Sequence, residues 1–501
     1  MKKIYLIIIG LTLVFTACED DLNLAPISDP SAANFYNNTE DFELAINGAY
    51  NALGDYSTNQ LYLSEVRSDN VYSVGTGVRL WNPINNFERT LQSNSLMSDA
   101  WNSCYRVIYL ANMVIDNIDE GKVPDSDTRD RMIGEAKFLR ALNYLDLVRF
   151  FGRVPIFDEP YSPTEALEIG RAPVSDVYTL IEQDLIDAIS SLPSSYPTSM
   201  TGKVTSGAAQ ALLARAYLTM SGPDYGIDGP GMGLDKYGDA LTLLNQVISN
   251  PNYGWVDDYA SIFDYDNENN PDIVFDIQAI NDGATGDRGI GTILPTLMYL
   301  ESWAKINLPF AGGVPNDGTG GIDPSDDLIA SCEEGDVRDD FSILMSYVDE
   351  NGNPVDNPQY QKFVSLNHIP ADRFNWGINF PVIRYTDVLM MKAEVLLRTG
   401  GSQSEIDGIV NQVRERAGVD PVSNVDMDML LEERRKEFMA EGLRWHDLVR
   451  SGKAIDVMNA WAASEDDADK INTVVANDII YAIHQDQLDV KEGLYDQNPG
   501  Y

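Results

Sequence analysis

Oxygen-bearing side chains alternate along one short polar segment, as ligands do at the start of a calcium-binding loop. The residues in this pattern are Asp264, Asp266, Glu268 and Asn270. An EF-hand loop has a turn glycine and a bidentate glutamate at fixed later positions, but Asn269 and Phe275 stand there. The spacing therefore excludes an EF-hand and leaves open only a looser, structural Ca²⁺ site. No other metal or cofactor is expected.

The chain carries none of the common catalytic sequence motifs. It contains no G-x-S-x-G, H-E-x-x-H or G-x-x-x-x-G-K-[ST] pattern. Its histidines, His368, His446 and His484, are far apart, and His446 beside Trp445 is expected to be structural. A glycosidase needs two carboxylates about 5–10 Å apart. Among 78 Asp and Glu residues such pairs arise by chance, so a surface glycoside hydrolase stays open as an alternative.

Composition and charge limit the partners. With 44% hydrophobic and 10% aromatic residues, the 501-residue chain has the composition of a folded protein. Its formal net charge of −43 would repel phosphate backbones, so nucleic acid is not an expected partner. The two cysteines far from the N-terminus, Cys104 and Cys332, are predicted to be buried free thiols. A disulfide between them stays open.

The N-terminus has the layout of a secretory signal peptide. Lys2 and Lys3 precede an apolar run over 4–15, which is too short to span a bilayer. Thr16-Ala17-Cys18 resembles a bacterial lipobox, so we expect residues 1–17 to be removed and Cys18 to carry lipid. An ordinary signal peptide is the alternative. Several acyl chains on one cysteine anchor a protein durably. Residues 18–36 are predicted to be a polar leash, a linker between that anchor and the folded domain.

Helical periodicity dominates most of the remaining chain. An unbroken apolar stripe runs through 174–192 between two prolines. Further helices are predicted near 39–54, 97–118, 126–150, 207–220, 235–249, 385–399 and 426–451. Ser402 and Glu405 form a capping-box pattern, and Gly418 is a C-terminal stop. Short connections suit helix hairpins with degenerate repeats. By contrast, residues 251–384 are rich in Gly, Asn, Asp and Pro, which predicts a loop-rich region.

Several segments, in order along the chain, resemble the SusD-like (RagB/SusD) family of outer-membrane lipoproteins. They are GEAKFLRALNYLDLVRFFGRVPI (134–156), VYTLIEQDLIDAISSLP (177–193), GKVTSGAAQALLARAYL (202–218), FPVIRYTDVLMMKAEVLLR (380–398), LLEERRKEFMAEGLRWHDLVRSGKA (430–454) and YDQNPGY (495–501). The resemblance implies a mostly α fold whose tetratricopeptide-like helix pairs form a superhelical scaffold. It implies a single domain over 37–501, with the scaffold at 37–250 and 385–454 and a ligand region at 251–384.

The resemblance also implies a function. Such proteins bind nutrient, usually oligosaccharide, at the outer face of the outer membrane and act as a lid on a SusC-like TonB-dependent transporter. They are binding proteins rather than enzymes. The acidic residues 19–21 after Cys18 are similar to those of lipoproteins exported to the outer leaflet. Peptide or another non-glycan nutrient is the alternative cargo.

A sugar site of this kind is expected on loops beside the first helices and in the loop-rich region. A flat aromatic ring stacks on the apolar face of a pyranose, and amide or guanidinium groups bind its hydroxyls. The candidate ligand-binding residues are Tyr72, Arg79, Trp81, Asn82, Tyr299, Trp303, Asn307 and Trp376. Trp81 and Trp303 are the favoured pair. The alternative is that these tryptophans are buried core residues, since Trp is highly buried on average.

Overall fold

A computed structural model describes residues 35–73, 79–285, 289–310 and 322–501. The predicted signal peptide, the lipidation site Cys18 and nearly all of the leash lie outside these residues. Among the described helices none is long and apolar enough to cross a membrane.

The N-terminal half is built from long helices that pack on their neighbours in sequence. The helices up to residue 250 are α1 (Thr39–Asn51), α2 (Tyr56–Gln60), α3 (Asn82–Asn85), α4 (Ser95–Asn117), α5 (Ser126–Phe151), α6 (Pro163–Ala166), α7 (Val174–Ser191), α8 (Ser206–Ser221) and α9 (Tyr237–Ile248). α5 packs against α4 and α7, and α8 packs against α7 and α9. This succession of helix hairpins follows from the short loops and the apolar stripes. The predicted mostly α fold is confirmed.

Side-chain caps fix where several of these helices begin. The Asn38 side chain accepts hydrogen bonds from the first-turn amides of α1, and Thr205 accepts one from Ala208 at the start of α8. Asp125 does the same for α5. Each cap satisfies a backbone donor that has no partner within the helix.

Where the structure describes it, the middle of the chain is built from short elements. Its helices are α10 (Tyr259–Ile262), α11 (Leu294–Met298), α12 (Glu301–Asn307), α13 (Asp326–Ala330) and α14 (Val337–Ser342). The strands in the described residues are β1 (Val71–Tyr72), β2 (Val154–Pro155), β3 (Arg171–Ala172), β4 (Ile273–Ile277), β5 (Asp323–Pro324), β6 (Ile343–Leu344), β7 (Tyr347–Val348), β8 (Pro354–Val355), β9 (Gln359–Tyr360) and β10 (Phe380–Arg384). They form antiparallel pairs β1–β5, β2–β3, β4–β10, β6–β9 and β7–β8.

The chain then returns to helices: α15 (Tyr385–Thr399), α16 (Gln403–Ala417), α17 (Met427–Glu437), α18 (Arg444–Ser451), α19 (Ala454–Glu465) and α20 (Gln485–Leu488). The prediction of one helix over 426–451 is wrong, because a turn at 438–443 separates α17 from α18. Ala440 and Gly442 have φ of 63° and 69° there. The buried carboxylate of Glu65 accepts hydrogen bonds from both of their amides, so a distant side chain supplies the partners that a continuous helix would have provided.

One local prediction in this half is also wrong. The Ser402 side chain makes no capping hydrogen bond; its backbone carbonyl accepts from the Glu405 amide instead. Gly418 does end α16 in the left-handed conformation, as predicted.

A buried ionic cluster joins the loop-rich middle to the C-terminal helices. The guanidinium of Arg384, at the end of β10, bonds to Asp272, Glu437 and Glu441 at 2.8–2.9 Å. Burial alone would raise the pKa of Glu437, but the guanidinium groups of Arg416 and Arg384 lower it to about 2. Since a buried charge without its partner is costly, this cluster fixes β4 and β10 against α17.

Both cysteines in the described residues are free, as predicted. Cys104 is buried on α4, and Cys332 is half-buried after α13. His446 is also structural, as predicted. It is buried with its Nε2 3.2 Å from the Gln60 side-chain oxygen, and burial together with the charge of Arg149 lowers its pKa.

Candidate functional site

The first group of candidate residues lies at the start of α3. Trp81 stacks on Tyr62 with ring centroids 5.7 Å apart and an interplanar angle of 10°. The Arg79 guanidinium lies over the Trp81 ring at 5.8 Å. The Asn82 side chain accepts a hydrogen bond from the Ser73 hydroxyl. We call Tyr62, Arg79, Trp81 and Asn82 the Trp81 group.

The Trp81 group is rigid and mostly covered. Trp81 is 6% exposed, whereas Leu80 beside it is 52% exposed. The Asn94 amide donates to the Leu80 carbonyl at 2.6 Å and holds this turn against the start of α4. Only a small part of Trp81 therefore reaches solvent, and the half-buried Arg79 and Asn82 lie beside it. Because the ring and the donors and acceptors beside it are already held in place, binding a sugar there would cost little conformational entropy.

Tyr72 lies on β1 and faces the end of α19. Its hydroxyl donates to Asp466 at 3.2 Å, and its ring meets Trp461 edge-on at 6.2 Å. Partial burial and Asp466 raise the pKa of Tyr72. Its hydroxyl is thus already bonded within the protein, although the half-buried ring retains some exposed surface.

The second group of candidates forms an aromatic cluster around α12. We call Tyr299, Trp303, Asn307 and Trp376 the Trp303 group. Tyr299 lies 5.4 Å from Trp303 and 6.4 Å from Trp376 between ring centroids. The Trp376 indole N–H donates to the Thr296 hydroxyl at 3.0 Å. The Asn307 amide donates to the Trp303 carbonyl.

Two members of the Trp303 group do not have the exposure that a ligand contact needs. Tyr299 and Trp376 are both 0% exposed, and burial raises the pKa of Tyr299 to about 12. Their rings pack in the core, so the expectation that they stack on ligand does not fit this geometry. Trp303 is 7% exposed and Asn307 is half-buried. For these two, ligand contact stays a prediction.

The candidates therefore assemble as two groups rather than as one continuous shelf. β9 connects them: the Gln359 side chain accepts from the Leu300 amide beside the Trp303 group. On the same strand, the Tyr360 hydroxyl donates to the Asn70 carbonyl just before β1. Tyr62 was not among the sequence candidates, because it lies in a helical segment where an aromatic residue reads as core.

The calcium-like segment does not gather its oxygen atoms. Asp264 accepts from the amide of Asp266, and Glu268 accepts from the amide of Asn379 at 2.7 Å. Asn270 accepts from the Asp272 amide. Across the part of the chain that the structure describes, no three His, Cys, Asp or Glu residues are grouped so that they could hold a metal ion. The side chains of this segment instead close their own turns and tie it to residue 379.

Comparisons with known proteins cover nearly the whole chain. A family model described as "Starch-binding associating with outer membrane" matches residues 27–218, and one described as "SusD family" matches residues 340–501. SusD-like protein P25 of Formosa agariphila is 25% identical, over 91% of this chain and 91% of its own length.

Solved structures have the same fold. A laminarin binding SusD-like protein superposes with a TM-score of 0.75 at 25% identity, covering 93% of this chain and all of the other. Surface glycan-binding protein A from Bacteroides uniformis superposes with a TM-score of 0.73 at 26% identity, covering 92% and 100%. The tetratricopeptide-like helical scaffold expected from the sequence is thus confirmed.

Proposed function

Since the chain belongs to the SusD family, we propose that it is an outer-membrane lipoprotein that binds glycan at the cell surface. It passes this oligosaccharide to a SusC-like TonB-dependent transporter and acts as its lid. The observation that carries the glycan assignment is the Trp81 group, a stacked indole bordered by a guanidinium and an amide. The relatives support it, since one of them is a laminarin binding protein.

The chemistry of the Trp81 group suits a neutral sugar. The indole and exposed Leu80 provide apolar surface for C–H groups of a pyranose, while Arg79 and Asn82 provide bonds to hydroxyls. Trp303 and Asn307 supply a second contact region near the same part of the fold. A small contact gives weak binding, with Kd on the order of micromolar to millimolar. Such binding releases cargo quickly, as delivery to a transporter requires.

Attachment to the membrane is assigned to acyl chains on Cys18, with the protein facing the cell exterior. The family model describes association with the outer membrane. The net charge of −43 opposes attraction to anionic lipid head groups, so a lipid anchor rather than a basic surface would hold the protein in place.

Affinity gel electrophoresis of residues 19–501 tests the glycan assignment. Native gels are cast with laminarin, starch or other neutral polysaccharides, and the wild type is run beside Trp81→Ala, Arg79→Ala and Trp303→Ala. We expect one glycan class to slow the wild type and the Trp81→Ala protein to lose about tenfold in affinity, which corresponds to about 1.4 kcal/mol. Arg79→Ala leaves the indole in place and removes the guanidinium that lies over its ring.

Trp255→Ala is the matched control. Trp255 is half-buried and stacks on Arg416 at 3.9 Å, away from both candidate groups, so its removal should leave retardation unchanged. Thermal melts confirm that each variant is folded. If no polysaccharide slows the folded wild type, the glycan assignment fails, and peptide cargo becomes the leading alternative. Release of new reducing ends from a bound glycan would instead indicate a glycoside hydrolase.

A further inference from the structure

A groove separate from the candidate residues lies between the end of α1, the loop 199–203 and β4. Its cavity volume is about 530 Å³, within the usual range for small-ligand sites. Its walls include Asn47, Asn51, Thr201, Gln278 and Ile290. None of the eight sequence candidates lines it. A smaller cavity of about 190 Å³ shares the wall formed by 200–203 and Asp276, and so extends the groove.

Two amides on α1 face this groove without a partner. Asn47 and Asn51 are four residues apart, so they lie one above the other on the same helix face. Both are exposed, and neither side chain has a hydrogen-bond partner among the described residues. Each amide offers two donors and an acceptor. It can therefore donate a hydrogen bond to a sugar hydroxyl or accept one from it.

Apolar side chains line the same groove. Ile280 is 60% exposed and Ile290 is 45% exposed. Exposed apolar surface gathered at a groove is one mark of a ligand-binding site. A groove lined by both amides and aliphatic carbon fits a ligand that carries hydroxyls and C–H groups.

The charged groups of the groove are already bonded within the protein. The Lys203 ammonium bonds to Glu135 at 3.0 Å and to Glu43 at 3.3 Å. Asp276 accepts from Asn379 and Gln278. Among the described residues that line the groove, no charged group is therefore left uncommitted for an ionic ligand, which favours a neutral one.

We infer that this groove is a second binding site for a neutral oligosaccharide, distinct from the Trp81 and Trp303 groups. The inference rests on the proposed function, because it extends the same cargo to another surface of the chain. A chain with two sites holds a long glycan more firmly than either site does, because the second contact forms at high effective concentration.

The test uses Asn47→Ala/Asn51→Ala in residues 19–501, with Asn245→Ala as the matched control. Asn245 is an exposed asparagine on α9 that does not line the groove. Retardation is measured in the polysaccharide gels, and laminarihexaose binding is measured by titration calorimetry. Loss of two hydrogen bonds should weaken laminarihexaose binding at this site about tenfold. The wild type and Asn245→Ala should bind alike.

Hydrogen exchange locates the contact directly. Laminarihexaose at millimolar concentration should slow exchange in peptides covering 44–54 and 199–203, and the double variant should abolish this protection. If a polysaccharide slows the wild type and the double variant equally, and no protection appears in these peptides, the second site is refuted while the proposed function stands. If no glycan slows or protects the wild type, both the proposed function and the second site fail.

Discussion

Raising the pH from 5 to 8 should destabilise the protein through two carboxyls, Asp276 on β4 and Glu268 before it. Asp276 is 4% exposed and accepts hydrogen bonds from Gln278 and Asn379. Asn379 also donates its amide to Glu268. Neither carboxyl forms an ion pair with a described residue. Burial raises the pKa of Asp276 from 3.8 to about 6 and that of Glu268 from 4.5 to about 7.

The sign follows from proton uptake. A carboxyl whose pKa is raised in the folded state binds its proton more tightly there than in the unfolded chain. Its stabilisation is complete below the unfolded pKa and is lost as the pH rises through the folded pKa. For Asp276 the loss between pH 5 and pH 8 is about 1.4 kcal/mol. Glu268 is half-exposed, so solvent screening reduces its share to about 1 kcal/mol.

Urea unfolding at pH 5, 6, 7 and 8 measures this difference in the wild type and in Asp276→Asn/Glu268→Gln. The neutral side chains mimic the protonated acids, so the wild type should lose about 2 kcal/mol more than the variant between pH 5 and pH 8. Other shifted groups are common to both proteins and cancel in the comparison. Asp257→Asn, which changes an exposed carboxyl, should follow the wild type. Equal pH dependence in the wild type and the double variant would refute the reasoning.

Three further outcomes are expected. Arg384→Met should lower the free energy of unfolding by about 3–5 kcal/mol in urea titrations, because Glu437 and Glu441 would stay buried without that partner; a loss below 1 kcal/mol would contradict the role of the cluster. Gly442→Ala should lower Tm, since φ is 69° and a Cβ there would lie 2.6 Å from the Cβ of Gln60; an unchanged Tm would show that this turn tolerates a side chain. Tm measured with Ca²⁺ should equal Tm measured with a chelator that removes it. A clear difference in Tm would indicate a metal site assembled outside the described contacts.

Local sequence patterns predicted the helices because their causes are local. The stripe at 174–192 and the stop at Gly418 both depend on neighbours within a turn or two. The break between α17 and α18 was missed for the opposite reason. Its turn is held by Glu65, which lies far away along the chain, and nothing within 426–451 reveals that partner.

The sequence by itself determined the scaffold and the family, because apolar periodicity and an ordered set of helix segments are properties of the chain alone. Only the tertiary structure decided how far each aromatic ring is buried. Tyr299 and Trp376 are fully buried, while Trp81 retains 6% exposure, and the sequence does not distinguish the three. Burial depends on contacts between distant segments, as between Trp376 and Thr296. For the same reason the groove beside Asn47 and Asn51 is visible only once α1, the loop 199–203 and β4 come together.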